Sequence, residues 1–207
     1  MNPLPRSAAG KDPADHNGLV LASSSPRRKD LLAEYGYEAE ILPASVEEST
    51  ADWLTVPELV LLNAERKSTA LRPTRPRSVV LGVDTLVCLD GRALGKPPDL
   101  PGAAAMLASL SGRTHQVYSG VYLAHPEEGR CVSFVEETSV TFLPLGTAEI
   151  AAYLGLINPL DKAGSYAAQE HGEKIIASYE GSWTNVLGLP MERLTRVLAE
   201  QFGIVPG

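Results

Sequence analysis

The apolar residues of this chain fall into continuous runs and alternating runs, and that division predicts a mixed sheet. Leu19-Val20-Leu21-Ala22 is a short continuous run ending in Ser23-Ser24-Ser25-Pro26-Arg27-Arg28, the pattern of a buried strand feeding a helix. Ser25 stands at the cap position, Pro26 at the first helical position, Leu31 and Leu32 supply a core face, and Gly36 offers a left-handed exit. Tyr37 to Pro43 is a second strand candidate, followed by an acidic loop at Val46-Glu47-Glu48-Ser49. Helical spacing of apolar residues predicts a helix from near Pro57 to about Leu71, which Pro73 and Pro76 end.

Ser78 to Val83 is again continuous, and Thr85 to Leu89 runs into Asp90-Gly91, a strong hairpin signal. Asp84 thus falls between two strand-like runs. A helix is expected from about Gly102 to Leu110, stopping at Gly112. His115 to Ala124 and Arg130 to Phe142 alternate and are joined by Pro126-Glu127-Glu128-Gly129, which predicts an antiparallel pair. A helix near Thr147 to Leu156, a polar loop through Asp161 to Gly164, a strand around Lys174 to Tyr179 and a helix from about Pro190 to Phe202 complete the order. Helices interleaved with both kinds of strand give an α/β protein with a mixed twisted sheet and flanking helices. No repeat or linker divides residues 18–207, which are expected to form a single unit. Residues 1–17, with Pro3, Pro5 and Pro13 and no apolar core, read as a disordered N-terminal tail.

Composition narrows the partners. The chain has 207 residues, 44% of them hydrophobic and 21% charged, an ordinary globular balance. Its formal net charge of −7 repels a nucleic-acid backbone, so no nucleic-acid partner is expected. A small anionic substrate remains admissible, because a few lysines and arginines in a cleft set the local potential. No apolar run has the length of a membrane span and the first residues lack a signal-peptide core, so no membrane partner and a cytoplasmic location are expected. Cys88 and Cys131 sit in β-like apolar runs without C-x-x-C spacing, which predicts buried free thiols in a reducing compartment.

The sharpest chemical feature is Ser23 to Arg28, where hydroxyls, the N–H groups of a helix start and two adjacent guanidiniums suit a phosphate ester. Adjacent helical residues point about 100° apart, so one arginine faces a ligand while the other clamps from the side. A capped helix with solvated arginines is the competing explanation. In Gly82-Val83-Asp84-Thr85 a carboxylate follows a buried strand, able to bind a divalent metal or take a proton, unless it only forms a turn. Gly95-Lys96-Pro97 lies beyond the Asp90-Gly91 turn, so the hairpin folds Lys96 back toward Asp84 unless it is a plain loop charge. Glu47 and Glu48 could complete a Mg²⁺ or Mn²⁺ site or be solvated surface. Lys67 shares a helical face with Val60 and Ala64, turning its ammonium partly inward, with snorkelling as the alternative. Asp161-Lys162-Ala163-Gly164-Ser165-Tyr166 and Gln169 suit a base edge or a polar turn. The absence of a G-x-x-x-x-G-K-[ST] sequence argues against a P-loop.

Taken with Leu110-Ser111-Gly112-Arg113-Thr114-His115 and Asn185-Val186-Leu187-Gly188-Leu189-Pro190, these segments resemble the Maf family, in the family's order from Gly18 to the last helix. The resemblance implies a fold related to the inosine-triphosphate pyrophosphatases, often dimeric, with the active site in a cleft between two lobes. It implies hydrolysis of a nucleoside triphosphate to monophosphate and pyrophosphate in nucleotide-pool house-cleaning. By motif position, Ser23, Arg27, Arg28, Lys67 and Lys96 would hold the triphosphate. Asp84 would be the essential carboxylate and, with Glu48, a ligand of a divalent cation, Mg²⁺ or Mn²⁺, while Gln169 would lie beside the nucleotide. The Asp-Lys-Ala-Gly-x-Tyr segment with its following Gln is similar to the subgroup acting on dTTP and UTP, whereas the sister subgroup prefers 7-methyl-GTP. Glu170-His171-Gly172 departs from the pattern, in which Gly commonly follows the Gln directly, and its added charge bears on base selection or loop closure. The family's association with septum formation keeps a nucleotide-binding regulator without turnover as the rival reading.

Overall fold

A computed structural model describes residues 18–207; the tail expected over 1–17 lies outside the described residues. The strands are β1 (Leu19–Leu21), β2 (Ala39–Ile41), β3 (Val79–Leu89), β4 (Arg92–Leu94), β5 (Thr114–His125), β6 (Arg130–Phe142) and β7 (Ile176–Glu180). The helices are α1 (Pro26–Glu34), α2 (Val56–Leu71), α3 (Leu100–Leu110), α4 (Thr147–Leu154), α5 (Trp183–Val186) and α6 (Met191–Phe202). All strands join one sheet in the order β2-β1-β3-β5-β6-β7, with β4 paired to β3. β1 is parallel to β2 and β3, and the remaining pairs are antiparallel. The expected α/β class and mixed sheet are therefore present.

Strand lengths create the feature that matters most. β5 pairs with β3 from Val80 to Cys88 and fills one edge. On the other edge β1 covers only Val79 to Leu81, and β4 covers Val87 to Leu89. Gly82 to Leu86 therefore have no strand neighbour on that edge among the described residues, and a notch opens beside the middle of β3.

The odd-numbered face of β3 carries two hydrophobic cores. In the first, Val79, Leu81 and Val83 pack with Val121 and Leu123 of β5, beneath Leu31 and Leu32 of α1 and Leu194 and Leu198 of α6. In the second, Val87 and Leu89 pack with Val117 and Phe142, beneath Leu107 of α3 and Tyr153 of α4. Each fully buried leucine contributes about 1.5–3 kcal/mol relative to exposure. Between the cores, Thr85 and Ser119 face each other with their hydroxyls 2.8 Å apart.

The even-numbered face is covered by α2, and two glycines let it lie flat. A Cβ at Gly82 would stand 2.0 Å from the Ala64 carbonyl oxygen, and one at Gly120 would stand 2.4 Å from the Val60 carbonyl carbon. Only glycine admits that approach of helix backbone to strand backbone. Asp84 pairs directly across from Gly120, so α2 lies immediately over Asp84.

Three expectations are corrected. The runs 78–83 and 85–89 form one strand, so Asp84 lies inside β3 rather than in a break, because α2 supplies partners for its carboxylate. Ser25 occupies the α1 cap position with extended backbone, but its hydroxyl makes no capping bond. Cys88 is buried as expected, whereas Cys131 is exposed. It lies near the β5–β6 turn, where one side of an antiparallel hairpin faces water. Among the described residues no helix is long and apolar enough to cross a membrane.

Candidate active site

Asp84 is 5% exposed, and a buried polar group needs hydrogen-bonding or charged partners. Lys67 Nζ stands 2.8 Å from its Oδ1, and Asn63 Nδ2 donates to its Oδ2 at 3.1 Å. Asn63 and Lys67 are four residues apart on α2 and so share one helical face. The same Lys67 ammonium is 2.6 Å from Glu48 Oε1 and 3.3 Å from the Val83 carbonyl oxygen. One cation thus joins two carboxylates from separate elements. Asn63 also fixes the loop carrying Glu48: its Oδ1 accepts from the Ser49 N–H at 2.7 Å and its Nδ2 donates to the Ser49 carbonyl at 3.2 Å. Burial alone would raise the Glu48 pKa, but the hydrogen bond and charge of Lys67, aided by the charges of Lys96 and Arg28, hold it below the usual value.

Arg28 approaches the notch from the other face. Its Nε donates to the Gly188 carbonyl at 2.9 Å, Nη1 to Ser23 Oγ at 3.0 Å and the Val83 carbonyl at 3.1 Å, and Nη2 to Thr85 Oγ1 at 3.0 Å. Four of its five N–H donors are therefore committed to the protein. Burial lowers its pKa while Asp84 opposes that shift, and a guanidinium stays charged in either case. Arg28 and Lys67 meet at the Val83 carbonyl, which the early end of β1 leaves without a ladder partner.

Arg27, half-buried, has no hydrogen-bond or ion-pair partner among the described residues. Lys96 is exposed. The antiparallel register Leu89↔Arg92 and Val87↔Leu94 sends the chain after Leu94 back toward the notch, as the hairpin signal predicted. Ser23 is buried, and its Oγ also accepts from the Ser25 N–H at 3.2 Å. Beside Glu48 opens a polar depression of about 490 Å³, lined by Glu47, Ser49, Trp53 and Arg66 among others.

Gln169 is set apart from this group. It is exposed, and among the described residues its amide reaches only Glu170 Oε1, at 3.4 Å. The preceding loop, however, is tied to the Lys96 turn, since the Gly164 N–H donates to the Gly95 carbonyl at 3.1 Å. Tyr153 Oη bonds both the N–H and the carbonyl of Ala167, at 3.1 and 3.2 Å. The buried His115 meets Tyr166 Oη through Nε2 at 3.0 Å, and burial pushes its pKa down to about 4. Glu170, the departure from the family pattern, lies 3.9 Å from the buried Lys162 ammonium.

Sequence reasoning missed Asn63, Thr85, Ser119 and the Gly188 carbonyl as parts of the site. Asn63 carried a usable signal: it is a polar residue on the inward face of an apolar helix, one turn before Lys67. Thr85 and Ser119 carried none, because small hydroxyls are common in strands.

The family model for Maf-like proteins matches residues 18–201. The chain belongs to the Maf family. Every residue that the motif comparison assigned to the Maf site lies within the matched span. The Maf chain is 44% identical over 190 residues to a dTTP/UTP pyrophosphatase of Bacillus pumilus (strain SAFR-032), covering 92% of this chain and 99% of that protein. It is 42% identical over 182 residues to a dTTP/UTP pyrophosphatase of Bacillus cytotoxicus, covering 88% and 94% respectively. Among solved structures, a HAM1 protein from Coxiella burnetii aligns with a TM-score of 0.49 at 17% identity, covering 89% of this chain and 100% of that chain.

Proposed function

We propose that this Maf chain hydrolyses dTTP and UTP to the monophosphate and pyrophosphate, the activity for which its relatives are named. The observation that carries the reading is the notch itself: a buried carboxylate held by Lys67 and Asn63, with Arg28 in place and Arg27 and Lys96 left for an anionic ligand. Asp84 takes the proton of a water as the water oxygen bonds the α-phosphorus. The bond from the α-phosphorus to the bridging oxygen breaks, and pyrophosphate leaves. In the ligand-free chain Lys67 and Asn63 each hold one Asp84 oxygen, and Asn63 keeps the carboxylate oriented when Lys67 turns to the polyphosphate. Arg27, Lys96 and Lys67 stabilise charge moving toward the leaving group, Ser23 contributes its hydroxyl, and Arg28 orients Ser23 while offering its one remaining donor. Gln169, on the loop tied to Gly95, would stand beside the nucleobase, apart from the phosphate-binding group.

The donor set suits Mg²⁺ or Mn²⁺, since it consists of carboxylate oxygens alone. Asp84 and Glu48 are the protein groups that would hold the ion. No cluster of three or more His, Cys, Asp or Glu residues is present among the described residues, and Mg²⁺ characteristically takes one or two carboxylates plus substrate phosphates. Bound there, it would neutralise polyphosphate charge.

Purified protein incubated with dTTP, UTP and 7-methyl-GTP in Mg²⁺ or Mn²⁺ is expected to yield monophosphate and pyrophosphate by ion-exchange chromatography, with the two pyrimidine nucleotides preferred. Asp84→Asn should lower turnover at least about 100-fold while melting as a folded protein. Tight nucleotide binding with no product would support the non-turnover regulator instead, and diphosphate plus phosphate would move the cut to the γ-phosphorus.

A further inference from the structure

Resting on the pyrophosphatase reading above, we infer that Lys67 occupies the cation position of the metal-free site and thereby makes the divalent ion enter together with the nucleotide. Its ammonium sits 2.6 Å from Glu48 Oε1 and 2.8 Å from Asp84 Oδ1, between the two carboxylates that would grip the ion. A divalent ion on those oxygens, at about 2.0–2.1 Å for Mg²⁺, needs the space the ammonium fills and is repelled by its charge. The two cations exclude one another.

Three further features make the exchange workable. Because no third carboxylate, histidine or cysteine joins this pair among the described residues, the protein alone offers the ion few ligands, and phosphate oxygens or water supply the balance. The lysine stem is flexible and its ammonium is a point charge, so a polyphosphate arriving at the notch gives it new anionic partners. Arg28 has no such freedom, with four donors held by Gly188, Ser23, Val83 and Thr85. Meanwhile Asn63 stays bonded to Asp84 Oδ2 and to both backbone groups of Ser49. Asp84 and the Glu48 loop therefore keep their places when the ammonium leaves. Lys67 passes from the carboxylates to the polyphosphate as the ion passes from solvent to the carboxylates.

The test is Mn²⁺ binding to the full chain without nucleotide, followed by electron paramagnetic resonance of the free ion, for wild type, Lys67→Met and Lys67→Gln. Both variants should bind Mn²⁺ about tenfold more tightly or better, a typical coupling between two ligands of one site. The gain should vanish when Glu48→Gln is added. Equal or weaker Mn²⁺ binding by the folded variants overturns the inference. If neither variant folds, wild type and Glu48→Gln decide: once Mn²⁺ chelated by free α,β-methylene nucleotide is subtracted, a ternary site no tighter than the nucleotide-free one overturns it, and a tightening that is lost in Glu48→Gln supports it. Product formation from dTTP on the same preparation separates the two levels, since missing product defeats the pyrophosphatase reading and the metal titration alone defeats this one.

Discussion

The two faces of β3 at residues 83–85 treat polar groups in opposite ways. On the odd face, Arg28 and Thr85 meet the Gly188 carbonyl and Ser119 meets Thr85, in a band that engages four of the five Arg28 donors within the protein and separates the two hydrophobic cores. On the even face, Asp84, Lys67 and Glu48 form a charged chain, two anions to one cation, reaching a half-exposed carboxylate. A neutral-partnered band is a scaffold, because replacing any bond in it with water or ligand leaves another group unpaired. An ion chain with an open end can exchange its partners for substrate and metal. Adjacent residues of one strand thus serve different purposes because successive side chains point to opposite faces.

The comparison breaks most severely at Gly82. Gly82→Ala places a methyl group inside the α2 backbone contact and should cost about 3 kcal/mol or more. Its remaining folded fraction should also lose turnover, because α2 carries Lys67 and Asn63. Urea unfolding and the product assay measure both, and a variant with wild-type stability would mean that close packing does not set the even-face geometry.

His115, on the odd face, sharpens the scaffold side. Its folded pKa of about 4 lies below the ordinary 6.5, so between those values the unfolded chain binds a proton that the folded chain refuses. Stability from this group is complete above pH 6.5 and is lost progressively as pH falls to about 4, by about 3 kcal/mol in total. Chemical denaturation across that window should show the slope in wild type and a flatter one in His115→Leu.

Thr85→Val is the mildest probe. It deprives Arg28 Nη2 and the Ser119 hydroxyl of a partner, at an expected cost of about 1–3 kcal/mol, with little change in turnover per folded molecule. A large loss of turnover at unchanged stability would place Thr85 among the groups that touch substrate.

Most of the element order was legible because periodicity and turn chemistry are local. The alternating segments ending near Ala124 and Phe142 became β5 and β6, and the Asp90-Gly91 turn was legible as the hairpin that returns Lys96 toward the notch. Legibility failed where a polar residue interrupts a strand. Asp84 reads as a break in an apolar run, and nothing nearby in the chain announces that Asn63 and Lys67 will satisfy it. Cys131 failed for a related reason, since it opens a largely apolar run but its side of the hairpin end is uncovered.

The sequence by itself determined the elements, the residue types of the site and the family. What only the tertiary structure decided was the division of labour: Arg28 bound into the scaffold beside an Arg27 that has no partner among the described residues, and Lys67 held between Glu48 and Asp84. Those outcomes depend on where β1 stops along β3 and how closely Gly82 and Gly120 let α2 approach. Both are long-range packing results, fixed by groups far apart in the chain competing for the same few ångströms.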